Sequence, residues 1–142
     1  MNNQYGLSGS LENYLRIIYE LESKQRVSRV KDISEKLHVK NPSVCGTLRI
    51  LKDKGMVNYT PHRVITLTEQ GRQAGRALYG KYSMLYEFLK TLPGVDREAA
   101  ARAACGMEHT LSPSIRRGLE ALTEILREDS RLNEQLHGRV RD

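Results

Sequence analysis

The residues with the most chemistry to offer are Cys105, Glu108 and His109, in the run Cys-Gly-Met-Glu-His at 105–109. At spacings of i, i+3 and i+4 they are expected to project from one face of one helix. Thiolate, carboxylate and imidazole on one face make half of a transition-metal site. Soft sulfur favours iron, zinc or cobalt there over magnesium or calcium. The other half must come from another helix. A buried free cysteine, a solvated carboxylate and a helix-end histidine leave the same pattern with no ligand at all. Cys105 as nucleophile with His109 as base is another use of the pair. No third orienting group and no oxyanion-hole loop accompany it, so the chain does not read as an enzyme. The second cysteine, Cys45, lies near the exposed side of a helix, where oxidation would add bulk or charge.

The elements that position these groups start from residues 30–55. They read as two short helices joined by a tight turn. The first, 30–37, buries Val30, Ile33 and Leu37. The second is capped by Asn41, takes Pro42 at its first position and ends at Gly55. Val44, Leu48 and Leu51 recur at i, i+4, i+7 and bury one face. Pro42, Gly46, Arg49 and Asp53 lie opposite, flanked by Ser43 and Cys45. This is the helix-turn-helix layout, although an ordinary helical hairpin has the same spacing. The next residues separate the two readings. Val57, Tyr59, Val64, Ile65 and Leu67 are strand residues around Thr60-Pro61-His62-Arg63, a hairpin with a short turn. A hairpin directly after a recognition helix is a wing, and His62 and Arg63 at its tip suit a phosphate or the minor groove.

Charge is concentrated in the same place. Net charge is +6 over 142 residues. Residues 24–63 hold ten Lys/Arg and three Asp/Glu, net +7, and the rest of the chain holds thirteen and fourteen, net −1. The whole positive excess lies around the helix pair, which is the footprint of a phosphate-neutralising face.

Around this centre the chain reads as helical. Residues 1–9 are polar and expected to be loose. A helix over 10–21 buries Leu11, Tyr14, Leu15, Ile18 and Leu21 and turns Asn13, Arg16, Ile17 and Glu20 to another face. Residues 22–28 are a polar connection. Thr68 caps a helix over 69–92 lined by Ala74, Leu78, Tyr82, Leu85, Tyr86 and Leu89. Pro93-Gly94 breaks the chain. Asp96 caps an alanine-rich helix that ends near His109. Ser112-Pro113 starts another, with Ile115, Leu119, Leu122, Ile125 and Leu126. The charged tail, 128–142, has room for one short helix through Leu132 and Leu136. With no Trp and one Phe, the core must be aliphatic. No apolar run approaches the roughly 20 residues that span a bilayer. No signal peptide is seen, and two cysteines make no disulfide framework. These features point to a cytoplasmic protein away from membranes. The expected fold is mainly α: a winged helix-turn-helix DNA-binding domain over 1–70, then a helical domain over 71–142.

In order and spacing, LENYLRIIYELE at 11–22, VKDISEKLHVKNPSVCGTLRILKDKGMV at 30–57, ITLTEQGRQAGRAL at 65–78 and CGMEHTLS at 105–112 resemble a known family. It is that of the metal-dependent repressors of the diphtheria toxin repressor and manganese transport regulator type, in the short form without an SH3-like domain. The resemblance covers residues 8–127. It implies a homodimer, dimerised through the helical domain, that binds palindromic operators in double-stranded DNA. It also implies Fe²⁺ or Mn²⁺ as corepressor and repression of metal-uptake genes. Glu108 and His109 match the family's Glu-His ligand pair, and Cys105 matches the ligand three residues before that Glu. Asn13 stands where the family has Asp or Met. Arg16 stands where manganese-type members have Glu. Tyr82 and Ala101 replace two further His ligands. The implied metal set is therefore Cys105, Glu108, His109 and Asn13. An alternative is a metal-independent regulator in which Arg16 supplies a fixed charge beside Glu108. A thiol- or redox-sensing regulator acting through Cys45 or Cys105 is a further one. In each case Pro42, Ser43, Gly46 and Arg49 are expected to face bases, with Asn41 beside them. Lys40, Lys52, Lys54, His62 and Arg63 are expected to face phosphates.

Overall fold

The computed structural model describes residues 4–25 and 27–140. Its elements are α1 (Gly9–Gln25), α2 (Val30–Leu37), α3 (Asn41–Asp53), β1 (Val57–Asn58), β2 (Thr66–Leu67) and α4 (Glu69–Leu89), then α5 (Arg97–Met107), a 3₁₀ turn (Glu108–Thr110), α6 (Pro113–Glu128) and α7 (Ser130–Arg139). They divide into two compact units, Met1–Tyr79 and Gly80–Asp142, with the boundary inside α4.

The first unit closes around one aliphatic core. Leu15 and Ile18 of α1, Ile33 of α2, Val44, Leu48 and Leu51 of α3 and Ile65 after β1 are fully buried in it. Each such side chain contributes about 1.5–3 kcal/mol of burial. α1 is buried more widely than its apolar stripe suggests, because Arg16 and Ile17 are also inside. Glu20 ties α1 to α2. Its carboxylate accepts from Lys24 at 2.7 Å and pairs with Lys36 at 2.6 Å. Burial pushes its pKa up, but the two lysines more than offset that and hold the carboxyl below its ordinary value. Glu22 does the same job further on, accepting from the Leu67 amide at 2.8 Å and pairing with Arg72 of α4.

Two left-handed residues set the helix-turn-helix. His38 (φ +54°) ends α2 with its amide donating to the Ser34 carbonyl. Gly55 (φ +73°) ends α3. There the Gly55 amide donates to Lys52 and the Met56 amide to Leu51, both at 2.9 Å, which is the Schellman arrangement. The start of α3 differs from expectation. Lys40, not Asn41, is the cap, since its carbonyl accepts the first helical bonds from Ser43 and Val44. Asn41 is thus the first helical residue and Pro42 the second.

The wing is shorter in pairing and longer in loop than the sequence suggests. Only Val57↔Leu67 and Asn58↔Thr66 pair. Ile65 instead exchanges both backbone bonds with Ser28, at 2.8 and 3.2 Å, which makes residue 28 a third strand position. α4 then packs very closely on the unit. A Cβ on Gly71 would lie 1.8 Å from the Met56 carbonyl oxygen, and one on Gly75 would lie 2.8 Å from Tyr19 Cβ. Residues 5–7 are not loose: Leu7 is buried in the core, with Tyr5 packed against it. Residues 1–3 lie outside the described residues.

In the second unit Leu85 and Leu89 of α4 pack on Ala100 and Ala104 of α5, where alanines let the backbones approach. α4 ends at Leu89 rather than 92, because the residue before Pro93 is steered out of helix. Asp96 caps α5 by accepting from Ala99, and Ser112 caps α6 by accepting from Ile115. α6 buries Thr123 and Leu126 but leaves Ile115, Leu122 and Ile125 exposed. The tail forms α7 from its Asp129 cap.

Candidate nucleic-acid interface and candidate metal centre

α3 buries Val44, Leu48 and Leu51 and turns Asn41, Pro42, Ser43, Gly46, Arg49 and Lys52 to solvent. Lys40 precedes it and Lys54 follows, both exposed. Lys54 also has a structural task, because its Nζ donates to the Gly6 carbonyl at 3.3 Å. At the wing tip the Arg63 amide closes a turn on Thr60 at 3.1 Å. That turn holds His62 in a left-handed conformation, φ +64°. His62 and Arg63 are both exposed.

Between α3 and the wing lies an open cavity of about 660 Å³. It brings together four of the expected site residues, Asn41, Arg49, His62 and Arg63. Lys40, Pro42, Ser43, Gly46, Lys52 and Lys54 do not line it. Cys45 and Tyr59 do. The neighbouring Cys45 thiol, with burial, raises the Tyr59 pKa above its ordinary value, while the Arg49 charge pulls the other way. Arg29 and Lys31, from the start of α2, complete the cavity. Sequence reasoning counted both in the basic segment but gave them no place. Helical periodicity ranks residues around one helix and does not say which residues of another helix come beside it.

The metal-type residues Cys105, Glu108 and His109 sit at the C-terminal end of α5. Cys105 is on the last turn of α5, and Glu108 is the C-cap, with helical φ −57° and ψ −32° and its amide donating to the Ala104 carbonyl; a 3₁₀ turn then carries the chain through His109. Glu108 is buried, and His109 Nε2 stands 3.6 Å from its Oε1. Asn13 belongs to the other unit, where its side-chain oxygen accepts from Arg16 at 2.6 Å. Arg16 also lies 3.9 Å from Glu20. Among the described residues, no group of three or more His, Cys, Asp or Glu side chains could hold a metal ion. The Glu108–His109 pair fits a divalent ion as two donors.

A helix-turn-helix with a wing, a basic face around it and a second, helical unit define a DNA-binding transcription regulator. Residues 6–65 match the iron dependent repressor N-terminal DNA binding domain, and residues 68–137 match the iron dependent repressor metal binding and dimerisation domain. The chain belongs to the iron dependent repressor family. It is 32% identical over 119 residues to an HTH-type transcriptional regulator of Methanocaldococcus jannaschii, covering 83% of this chain and 95% of that one. It is 32% identical over 122 residues to the diphtheria toxin repressor of Corynebacterium efficiens, covering 85% of this chain and 53% of that one. The chain thus spans about half the length of that repressor. The crystal structure of T. acidophilum IdeR superposes with a TM-score of 0.66 at 27% identity, covering 76% of this chain and 51% of that one. The family is one of transcription regulators rather than enzymes, and its second domain carries dimerisation. No helix among the described residues is long and apolar enough to cross a membrane.

Proposed function

We propose that this chain represses transcription in the cytoplasm by binding a palindromic operator as a homodimer, with α3 in the major groove and the wing on adjacent phosphates. The observation that carries the reading is the exposed face of α3, with Arg49 beside the basic wing tip across one cavity. Arg49, Pro42, Ser43 and Gly46 face bases in this reading. Lys40, Asn41, Lys52, Lys54, His62 and Arg63 hold register on the backbone, which positions the protein without reading sequence. The test is selection of a binding site from a random-core duplex pool, followed by titration of single-base variants. Arg49→Ala is expected to cost about 1–3 kcal/mol at one base position. A uniform loss across all variants would overturn its role.

Metal control comes to this chain as a proposal that rests on the buried Glu108 and its neighbour His109. Cys105 and Asn13 would complete the donors for Fe²⁺ or Mn²⁺ in this reading. Family membership favours this reading over a metal-independent or a thiol-sensing regulator. Chelation is expected to lower operator affinity, and Fe²⁺ or Mn²⁺ to restore it. Elemental analysis of a Cys105→Ala variant tests that ligand, because unchanged metal content would remove it from the set.

A further inference from the structure

We propose that Ile50 of α3 reads a thymine of the operator, its side chain seated on the C5-methyl group in the major groove. The proposal rests on the DNA-binding reading above and adds to it a specificity-determining residue that makes no hydrogen bond. Among the described residues, the first unit leaves three large apolar side chains exposed: Val39, Ile50 and Val64. All three lie on the helix-turn-helix or the wing. Val39 stands in the turn before α3, and Val64 lines the cavity beside the wing tip. Ile50 projects from α3 itself and is the most exposed of the three, at 48%. Among the described residues it joins neither the aliphatic core of this unit nor the half-buried side chains packed against it. The fold therefore gives no reason for an apolar side chain there. Isoleucine also forms helix less well than Lys, Arg or Leu, and nearly half of it stays in water, where burial is favourable.

Its place on the helix supplies a reason. At 100° per residue Ile50 lies about 40° round α3 from Gly46 and about 20° from Ser43. It thus shares the stripe that faces bases in the reading above. Gly46, one turn before it, has no side chain, and a Cβ there would meet no atom within 4 Å. That gap lets the α3 backbone come close to the groove floor, which brings a short side chain one turn on up to a base edge. A β-branched side chain in a helix is held largely in one rotamer, so little freedom is lost on contact. The partner's chemistry follows from two facts taken together. Residues 24–63 carry net +7, which selects a polyanion over a neutral apolar surface. Among the groups that the four bases present in the major groove, the apolar one is the thymine C5-methyl.

The experiment is an affinity titration of the selected duplex with each thymine replaced in turn by deoxyuridine. That exchange removes the C5-methyl alone and leaves base pairing and the O4 acceptor as they were. The wild type is expected to lose about fourfold at one thymine of a half-site, the worth of one buried methyl group. Ile50→Ala is expected to bind the thymine duplex about fourfold more weakly and to show no difference between thymine and deoxyuridine at that position. Ile50→Val should keep the preference. Ile50→Ala gains alanine's helix propensity at an exposed position, so its Tm should equal or exceed that of the wild type. A thymine preference that persists in Ile50→Ala would overturn the proposal, with or without an overall loss of affinity. A selected site in which no deoxyuridine exchange weakens wild-type binding would overturn it as well. Both outcomes leave the DNA reading intact. Failure of the wild-type chain to bind any duplex of the pool would instead bring down the DNA reading, and this inference with it.

Discussion

Replacing Gly46 by alanine separates what α3 does for the fold from what it does for DNA. Gly46 sits in the middle of α3, exposed, between the buried Val44 and Leu48. A Cβ built there meets no atom within 4 Å. The substitution therefore adds no clash and gains the helix propensity of alanine over glycine, about 0.8–1.0 kcal/mol. Part of that gain comes from a less flexible unfolded chain. For a chain of this size it corresponds to a rise in Tm of about 2–6 °C. With DNA bound the sign reverses. The new methyl stands on the face that approaches the groove, at the point where the backbone can come closest. A loss of about tenfold in affinity, or about 1.4 kcal/mol, is expected. Circular dichroism melts and duplex titrations on the same protein read both effects. A more stable protein with unchanged affinity would show that Gly46 does not face the groove. A less stable one would refute the helical geometry from which the gain was worked.

Three further substitutions test the scaffold. Gly71→Ala drives a Cβ to 1.8 Å from a backbone carbonyl, so a loss of about 1–3 kcal/mol or more is expected in urea unfolding, and a neutral result would refute the close packing of α4 on Met56. His38→Gly removes a side chain from a left-handed position (φ +54°), and a gain of about 0.5–1 kcal/mol is expected by the same assay. Glu20→Gln bears on pH. The folded-state pKa of Glu20 lies below the ordinary glutamate value, so its stabilisation is complete above that ordinary value and is lost as pH falls through the lower folded one. The wild-type urea midpoint should decline over that acid window more steeply than the midpoint of the variant, and parallel curves would contradict the role given to Lys24 and Lys36.

The helix pair was legible because its apolar spacing is local. Val44, Leu48 and Leu51 state their own face, and Gly55 needs only its own φ. The wing was legible as β-type residues, but its register was not, since Ile65 pairs with Ser28, 37 residues away. Asn41 looked like a cap by residue type, yet Lys40 has the cap's backbone, and residue type does not fix which carbonyl accepts first. The spacing put Arg16 on one face of α1 with Asn13 and Glu20, but the burial of that face and the hydrogen bond from Arg16 to the Asn13 side-chain oxygen come only with the structure. The Cys105, Glu108 and His109 spacing was read on an α-helix; Glu108 closes the last α-helical bond, to Ala104, and the 3₁₀ turn that carries His109 was not legible. In α6, Leu119 and Leu122 look alike in sequence, yet only the former packs on the core. The cavity beside α3 was half legible. Its α3 and wing residues lie in stretches that carry a motif, while Arg29 and Lys31 reach it only through the tertiary packing of α2.

The most direct test of the central claim is a map of backbone amide chemical shifts in the ¹⁵N-labelled chain as the selected duplex is added. Shifts concentrated at residues 40–54 and 59–64, with a smaller set at 29–31, are the expected result. Shifts confined to residues 80–140, or none at saturating duplex, would contradict DNA recognition by α3 and the wing.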